Sequence, residues 1–104
     1  MSRAQRDKGA RGENEYAALL SEALGMPIRR KLGQARDGGD DIEVGPFRIE
    51  VKRREALRID AWCEQVEACA GPGQIPVVAY RRNGQEWRVV LRNDDFLRLM
   101  RGEL

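Results

Sequence analysis

The sequence predicts a single α/β domain of three helices and about five strands, on three observations. Apolar residues recur at spacings of three and four over 12–24 and 60–70, and again at Phe96, Leu97, Leu99 and Met100. Short runs alternate apolar and polar residues on either side of Gly45-Pro46 and of Asn83-Gly84. Gly25 and Gly71-Pro72-Gly73 stand where the first two helical patterns stop.

In the first helix, about Gly12 to Leu24, the buried stripe is Tyr16, Ala17, Leu20, Ala23 and Leu24. Glu13 precedes Tyr16 and Ala17 by three and four residues, so it extends that stripe instead of facing water. Met26 to Lys31 reads as a short strand, and Leu32 to Asp40 as a polar, glycine-rich loop. A hairpin follows, Ile42-Glu43-Val44 and Phe47 to Lys52, with Gly45-Pro46 as a two-residue turn. Its register can be computed. Val44 falls opposite Phe47, Glu43 opposite Arg48, Ile42 opposite Ile49 and Asp41 opposite Glu50, with the apolar pairs on one face and Asp41, Glu43, Arg48, Glu50 and Lys52 on the other.

The second helix, about Asp60 to Ala70, turns Trp62, Val66 and Cys69 inward. Val77 to Tyr80 and Trp87 to Leu91 form strands around the Asn83-Gly84 hairpin signal. A last helix, capped by Asn93 or Asp94, buries Phe96, Leu97, Leu99 and Met100. Trp62 and Trp87 read as core residues in preference to base-stacking platforms. No internal repeat or linker divides the chain, and 104 residues suit one domain over 1–104 that folds without disulfides.

Composition narrows the chemistry. Charged residues make up 35% of the chain, yet 19 Lys and Arg against 17 Asp and Glu leave a net charge of only +2. Basic residues cluster at Arg3 to Arg11, at Arg29-Arg30-Lys31, at Lys52-Arg53-Arg54 and at Arg81-Arg82. Each cluster taken singly is an ordinary solvated face; their grouping around acidic motifs points to a polyanion. The first eight residues read as a basic arm, flexible or tracking a nucleic-acid backbone. There is no histidine, which excludes Ser-His-Asp and Cys-His hydrolases and histidine-metal nucleases. Cys63 and Cys69, about 9 Å apart by helix rise, are too distant for a disulfide and too few for zinc, so both are expected as reduced core thiols. With no apolar run of membrane-spanning length and a polar, basic N-terminus, the expected location is the cytoplasm, without a membrane partner.

The hairpin register carries the functional reading. Directly opposed carboxylates at Asp41 and Glu50 repel unless something positive lies between them. Magnesium would serve, since it takes oxygen ligands and keeps several waters, and manganese would substitute for it. Lys52, two residues past Glu50, projects from the same face and could orient an attacking water or stabilise developing charge at a phosphodiester.

Asp41, the eight-residue gap and Glu50-Val51-Lys52 together resemble the signature of the PD-(D/E)XK nuclease superfamily. Lys8-Gly9-Ala10-Arg11-Gly12-Glu13 is similar to the segment that carries an extra metal-site glutamate in archaeal-type Holliday junction resolvases, and Glu64-Gln65-Val66-Glu67 to their glutamine-bearing helix. The resemblance covers roughly residues 8 to 92. It implies a restriction-endonuclease-like core, a central mixed β-sheet flanked by helices. It also implies a metal-dependent DNA endonuclease with Asp41, Glu50 and Glu13 as metal ligands, Lys52 and Gln65 completing the site, and Arg6, Lys8, Arg11, Arg30, Lys31, Arg53 and Arg54 contacting DNA. The family often has proline before the aspartate. Here Asp40 precedes Asp41, so Asp40 or even Asp37 competes as ligand, and the register selects Asp41.

The likeness of the Glu13 segment makes branched DNA the favoured substrate, and a homodimer is expected because symmetrical cutting of two strands needs two sites. A restriction-type or nicking endonuclease is the alternative within the class. A noncatalytic nucleic-acid-binding module that kept the fold is the alternative outside it. Glu13 also suits a helix N-terminus by charge alone, and Gln65 suits an exposed helix face.

Overall fold

The computed structural model describes residues 3–28 and 41–104, with side chains from residue 11 onward within those limits. The first helix, α1, spans Arg3–Leu24, so the segment read as a basic arm is already helical from Arg3. Alanine, glutamine, arginine and lysine in this stretch are good helix formers, which explains the early start. Gly25 closes the helix with φ +68°, and its amide donates to the Ser21 carbonyl at 2.9 Å. Tyr16 and Ala17 are buried as expected, and so is Glu13. Leu24 is 51% exposed, because the apolar stripe outruns the sheet beneath it.

Strands β1 (Ile42–Val44) and β2 (Phe47–Arg53) form the predicted hairpin in the predicted register, with Ile42 opposite Ile49, Glu43 opposite Arg48 and Val44 opposite Phe47. Gly45 takes φ +54° at the first turn position, where proline follows. Helix α2 (Ile59–Cys69) then crosses over to β3 (Ile75–Arg81), which pairs parallel with β2. Strand β4 (Arg88–Val90) returns antiparallel, and the sheet order is β1-β2-β3-β4. A strand in the middle of a mixed sheet is covered on both faces, which accounts for the unbroken buried run Ile75 to Ala79 in β3.

The expected architecture holds, with four strands among the described residues. The strand read over 26–31 is absent at 26–28, and 29–31 lie outside the described residues. The Asn83-Gly84 signal does mark a turn between two antiparallel strands, β3 and β4. A turn closes at Gln85 N to Arg82 O, 3.1 Å, with φ +73° at Gly84, and Tyr80 with Arg88 is the pair of the β3-β4 ladder nearest the turn. Trp87 leaves the ladder because its ring packs on Tyr16, centroids 4.8 Å apart, while its Nε1 donates to Glu15 at 3.0 Å.

The two faces of the sheet carry different loads. Tyr16 and Ala17 of α1 pack on Ile42, Ile49, Val51, Ile75, Val77 and Ala79. On the other face Trp62 and Val66 of α2 pack on Val78, with Ile59, Cys63 and Tyr80 around them. Cys63 is half-buried at that layer, whereas Cys69 is exposed at the end of α2 and is not the core thiol expected.

The last helix, α3 (Asn93–Met100), overturns a sequence expectation. Its buried residue is Asp95, held by Arg92 Nε at 2.9 Å, while Phe96, Leu97, Leu99 and Met100 are 41–69% exposed. Neither Asn93 nor Asp94 caps it, since the helix begins after Arg92 without a side-chain cap. Periodicity fixed which side of α3 is apolar, but nothing in the described chain lies over that side.

Candidate active site

The alternation of β2 decides which residues can meet. Phe47, Ile49 and Val51 point at α1, so Arg48, Glu50 and Lys52 point to the α2 face, beside Pro76, Val78 and Tyr80, their register partners on β3. Asp41, one residue before Ile42, alternates to the same face. There the two carboxyls come within hydrogen-bonding reach, as the computed register requires.

All three candidate groups are buried: Asp41 to 7% exposure, Glu50 to 4% and Lys52 to 8%. Three charged side chains inside a domain this small need compensation. Lys52 Nζ lies 3.1 Å from Glu50 Oε1, and Arg48 is ion-paired with Asp41 through Oδ2. Compensation is incomplete, because Asp41 Oδ1 is buried without a hydrogen-bond partner. The Glu50 carboxyl is accordingly pushed up to about 7, first by burial, then by its contact with Asp41, with Lys52 pulling the other way. A proton on Glu50, or a cation between the carboxylates, would relieve the crowding. The donor set of two carboxylates with an unsatisfied buried oxygen fits a hard divalent cation.

The remaining candidates are placed differently. Glu13 is buried, but it stands on α1, whose next turn packs on the opposite face of the sheet. Among the described residues no three Asp, Glu or Cys side chains gather closely enough to hold a metal ion, so Glu13 does not form a three-carboxylate set with Asp41 and Glu50 here. Gln65 is half-buried on α2, one residue before the buried Val66, on the helix that covers the site face. The competing ligands Asp37 and Asp40 lie outside the described residues, as do Arg30, Lys31 and the side chains of Arg6 and Lys8.

Arg11 is exposed and Arg54 half-buried, with Nη1 donating to the Arg53 carbonyl at 3.1 Å. Arg53 is already engaged, its guanidinium reaching Glu15 at 3.4 Å and Asn83 at 3.1 Å. Glu15 also receives Arg81 Nε at 2.7 Å and Trp87 Nε1 at 3.0 Å. One carboxylate thereby ties α1 to the ends of β2 and β3 and to the chain leading into β4. Its pKa is lowered, chiefly by the hydrogen bond from Arg81.

Sequence reasoning passed over Glu15 entirely, and it matched Arg48 with Glu43. Arg48 does lie 3.7 Å from Glu43, but its closer partner is Asp41. Asp41 and Glu43 flank it on one strand face, and only side-chain reach decides between them.

A family model described as "Phage putative PDDEXK endonuclease" matches residues 4–103. No curated protein and no solved structure matches the chain.

Proposed function

Because the chain belongs to the phage PD-(D/E)XK endonuclease family, we propose that it hydrolyses phosphodiester bonds in DNA at the Asp41, Glu50 and Lys52 cluster in a magnesium-dependent reaction. The observation that carries this reading is the buried, facing carboxylate pair with a lysine 3.1 Å from one of them. Burying such a pair costs stability, and a bound dication is the ordinary reason to keep one.

Asp41 and Glu50 would hold the magnesium ion, with Glu13 supported as a further ligand by its motif and its burial alone. When bound, the ion supplies Lewis-acid polarisation of the phosphate and lowers the pKa of a coordinated water. Lys52 contributes a fixed positive charge at the edge of the pair, where it orients the attacking water and stabilises charge developing on the phosphate. Arg48 holds Asp41 in place from the other side. Gln65, on the covering helix, is proposed to steady the same site. Exposed Arg11, together with Arg54, Arg6, Lys8, Arg30 and Lys31, would contact the DNA backbone, while Arg53 serves first as the partner of Glu15.

The preferred substrate in this reading is branched DNA of the four-way-junction type, supported by the likeness of the Lys8 to Glu13 segment to junction resolvases. A dimer would supply the two sites that paired cuts require. The test is cleavage of labelled four-way junction, nicked duplex and linear duplex, with magnesium or EDTA and with Lys52→Ala as control. Magnesium-dependent cutting that Lys52→Ala abolishes, while the variant still folds and binds DNA, is expected. A fully active Lys52→Ala protein would sink the assignment. Cutting of linear duplex in preference to the junction would replace branched-DNA selectivity with a restriction-type activity.

A further inference from the structure

Arg48 stands two residues before Glu50 on β2 as Lys52 stands two residues after it, so each of the facing carboxylates has a cationic side chain of its own. The register puts Glu43 directly opposite Arg48, and that pair alone would balance the charge of the hairpin. Arg48 divides its guanidinium instead. Nη1 lies 3.7 Å from Glu43 Oε1, whereas Nη2 makes the closer pair, with Oδ2 of the diagonal neighbour Asp41. The Asp41 side chain is 8% exposed against 33% for Glu43, so the stronger contact is made where water screens it least.

The contact with Asp41 engages one nitrogen and one oxygen. Arginine commonly grips a carboxylate with two parallel N–H bonds, which would occupy both oxygens. Here Arg48 Nε and Asp41 Oδ1 are both buried without a hydrogen-bond partner. Asp41 therefore has one oxygen held and one open, and the open one is enclosed in the protein, where an unsatisfied acceptor is costly. Lys52 makes the matching contact with Glu50, Nζ to Oε1 at 3.1 Å. Ligation through one oxygen and through two suits different cations. Magnesium demands near-ideal octahedral geometry with bonds of about 2.0–2.1 Å, and a carboxylate chelating through both oxygens subtends too narrow an angle for it. Calcium, with bonds of about 2.3–2.6 Å and a looser geometry, accepts a carboxylate either way.

We infer that Arg48 selects the metal: by holding Asp41 Oδ2 it leaves Oδ1 as the one oxygen of that carboxylate able to ligate, which favours magnesium over calcium. This rests on the reading of Asp41 and Glu50 as a magnesium site. Arg48 is a positioning residue, acting on the ion through Asp41. Its removal frees Oδ2, and calcium gains a ligand atom that magnesium cannot use. Loss of a positive charge strengthens the binding of both ions alike, so the ratio of the two affinities separates the selective role from a merely electrostatic or structural one.

The test is calorimetric titration of the full chain without DNA at pH 8, with magnesium chloride and separately with calcium chloride, for wild type and Arg48→Gln, alongside circular dichroism. The ratio of calcium affinity to magnesium affinity is expected to rise by on the order of tenfold in Arg48→Gln. A ratio that stays the same or falls, with both ions still bound, overturns the inference and leaves the magnesium site standing. A wild type that does not bind magnesium overturns that site, and the role of Arg48 with it. Should Arg48→Gln be unfolded in EDTA, the concentration of each cation that restores its circular dichroism reads the same ratio. A variant that neither ion binds or refolds makes Arg48 a structural residue and overturns the inference. None of these readouts involves cleavage, so the selectivity of the site is judged apart from its activity.

Discussion

Glu50 sits under opposing influences, and their balance can be measured. Burial and Asp41 favour its neutral form, Lys52 favours its charged form, and the first two win, placing its pKa near 7 against an ordinary 4.5. A carboxyl raised in the folded state adds stability that is complete below its unfolded pKa and is lost as pH climbs through the folded one. Without metal, Glu50→Gln should therefore be more stable than wild type at pH 8 by on the order of 3 kcal/mol, with the advantage shrinking toward nothing near pH 4. Denaturant unfolding of both proteins in EDTA at the two pH values checks this, and an advantage that does not change with pH would mean that Glu50 is not held neutral. Glu15 has the opposite sign. Its pKa is lowered by Arg81, so its contribution is present above the ordinary carboxylate range and disappears as pH falls through it. Its side chain is 36% exposed, so solvent screens the pair, and Glu15→Gln should cost only about 1 kcal/mol at neutral pH. In acid the two proteins should unfold alike.

At the scale of elements, the approach of α1 to the sheet depends on Gly12. A β-carbon there would come within 2.9 Å of the Arg53 Cβ, a stem atom that cannot swing aside. In an isolated helix, replacing glycine by alanine gains about 1 kcal/mol. Here the overlap forces α1 away from β2 and disturbs the neighbouring Glu13 and Glu15, and overpacking of this kind costs about 1–3 kcal/mol. Gly12→Ala is accordingly expected to lower the thermal midpoint despite its better helix propensity. A raised midpoint would show that α1 has room to move. The β1-β2 hairpin was legible at this scale because its turn fixes its register, and the register puts Asp41 beside Glu50. The parallel pairing of β2 with β3 was not legible, since nothing local to either strand says which neighbour it takes.

For the molecule as a whole, a ligand that binds only the folded state raises its stability by mass action, by about 2.7 kcal/mol at a hundred times its dissociation constant. Millimolar magnesium should raise the thermal midpoint of the wild type, and more at pH 8 than at pH 6, because the ion needs both carboxylates deprotonated. The Asp41→Asn, Glu50→Gln double variant should show no such shift. Absence of a shift in the wild type would count against a preformed magnesium site. None of the helices among the described residues is long and apolar enough to cross a membrane.

Local chemistry in the sequence was enough to determine the helices α1 and α2, the hairpin register, the facing carboxylates with Lys52 beside them, and the buried position of Glu13. Turn geometry and strand alternation act over a few residues and need no knowledge of distant neighbours. Tertiary structure alone decided the rest. It placed α1 across the sheet from Glu50, gave Arg48 to Asp41 and engaged Arg53 with Glu15. It also drew Trp87 out of its ladder and, among the described residues, left the apolar side of α3 uncovered. Each of these depends on which elements pack together, and periodicity identifies an apolar face without saying what will cover it.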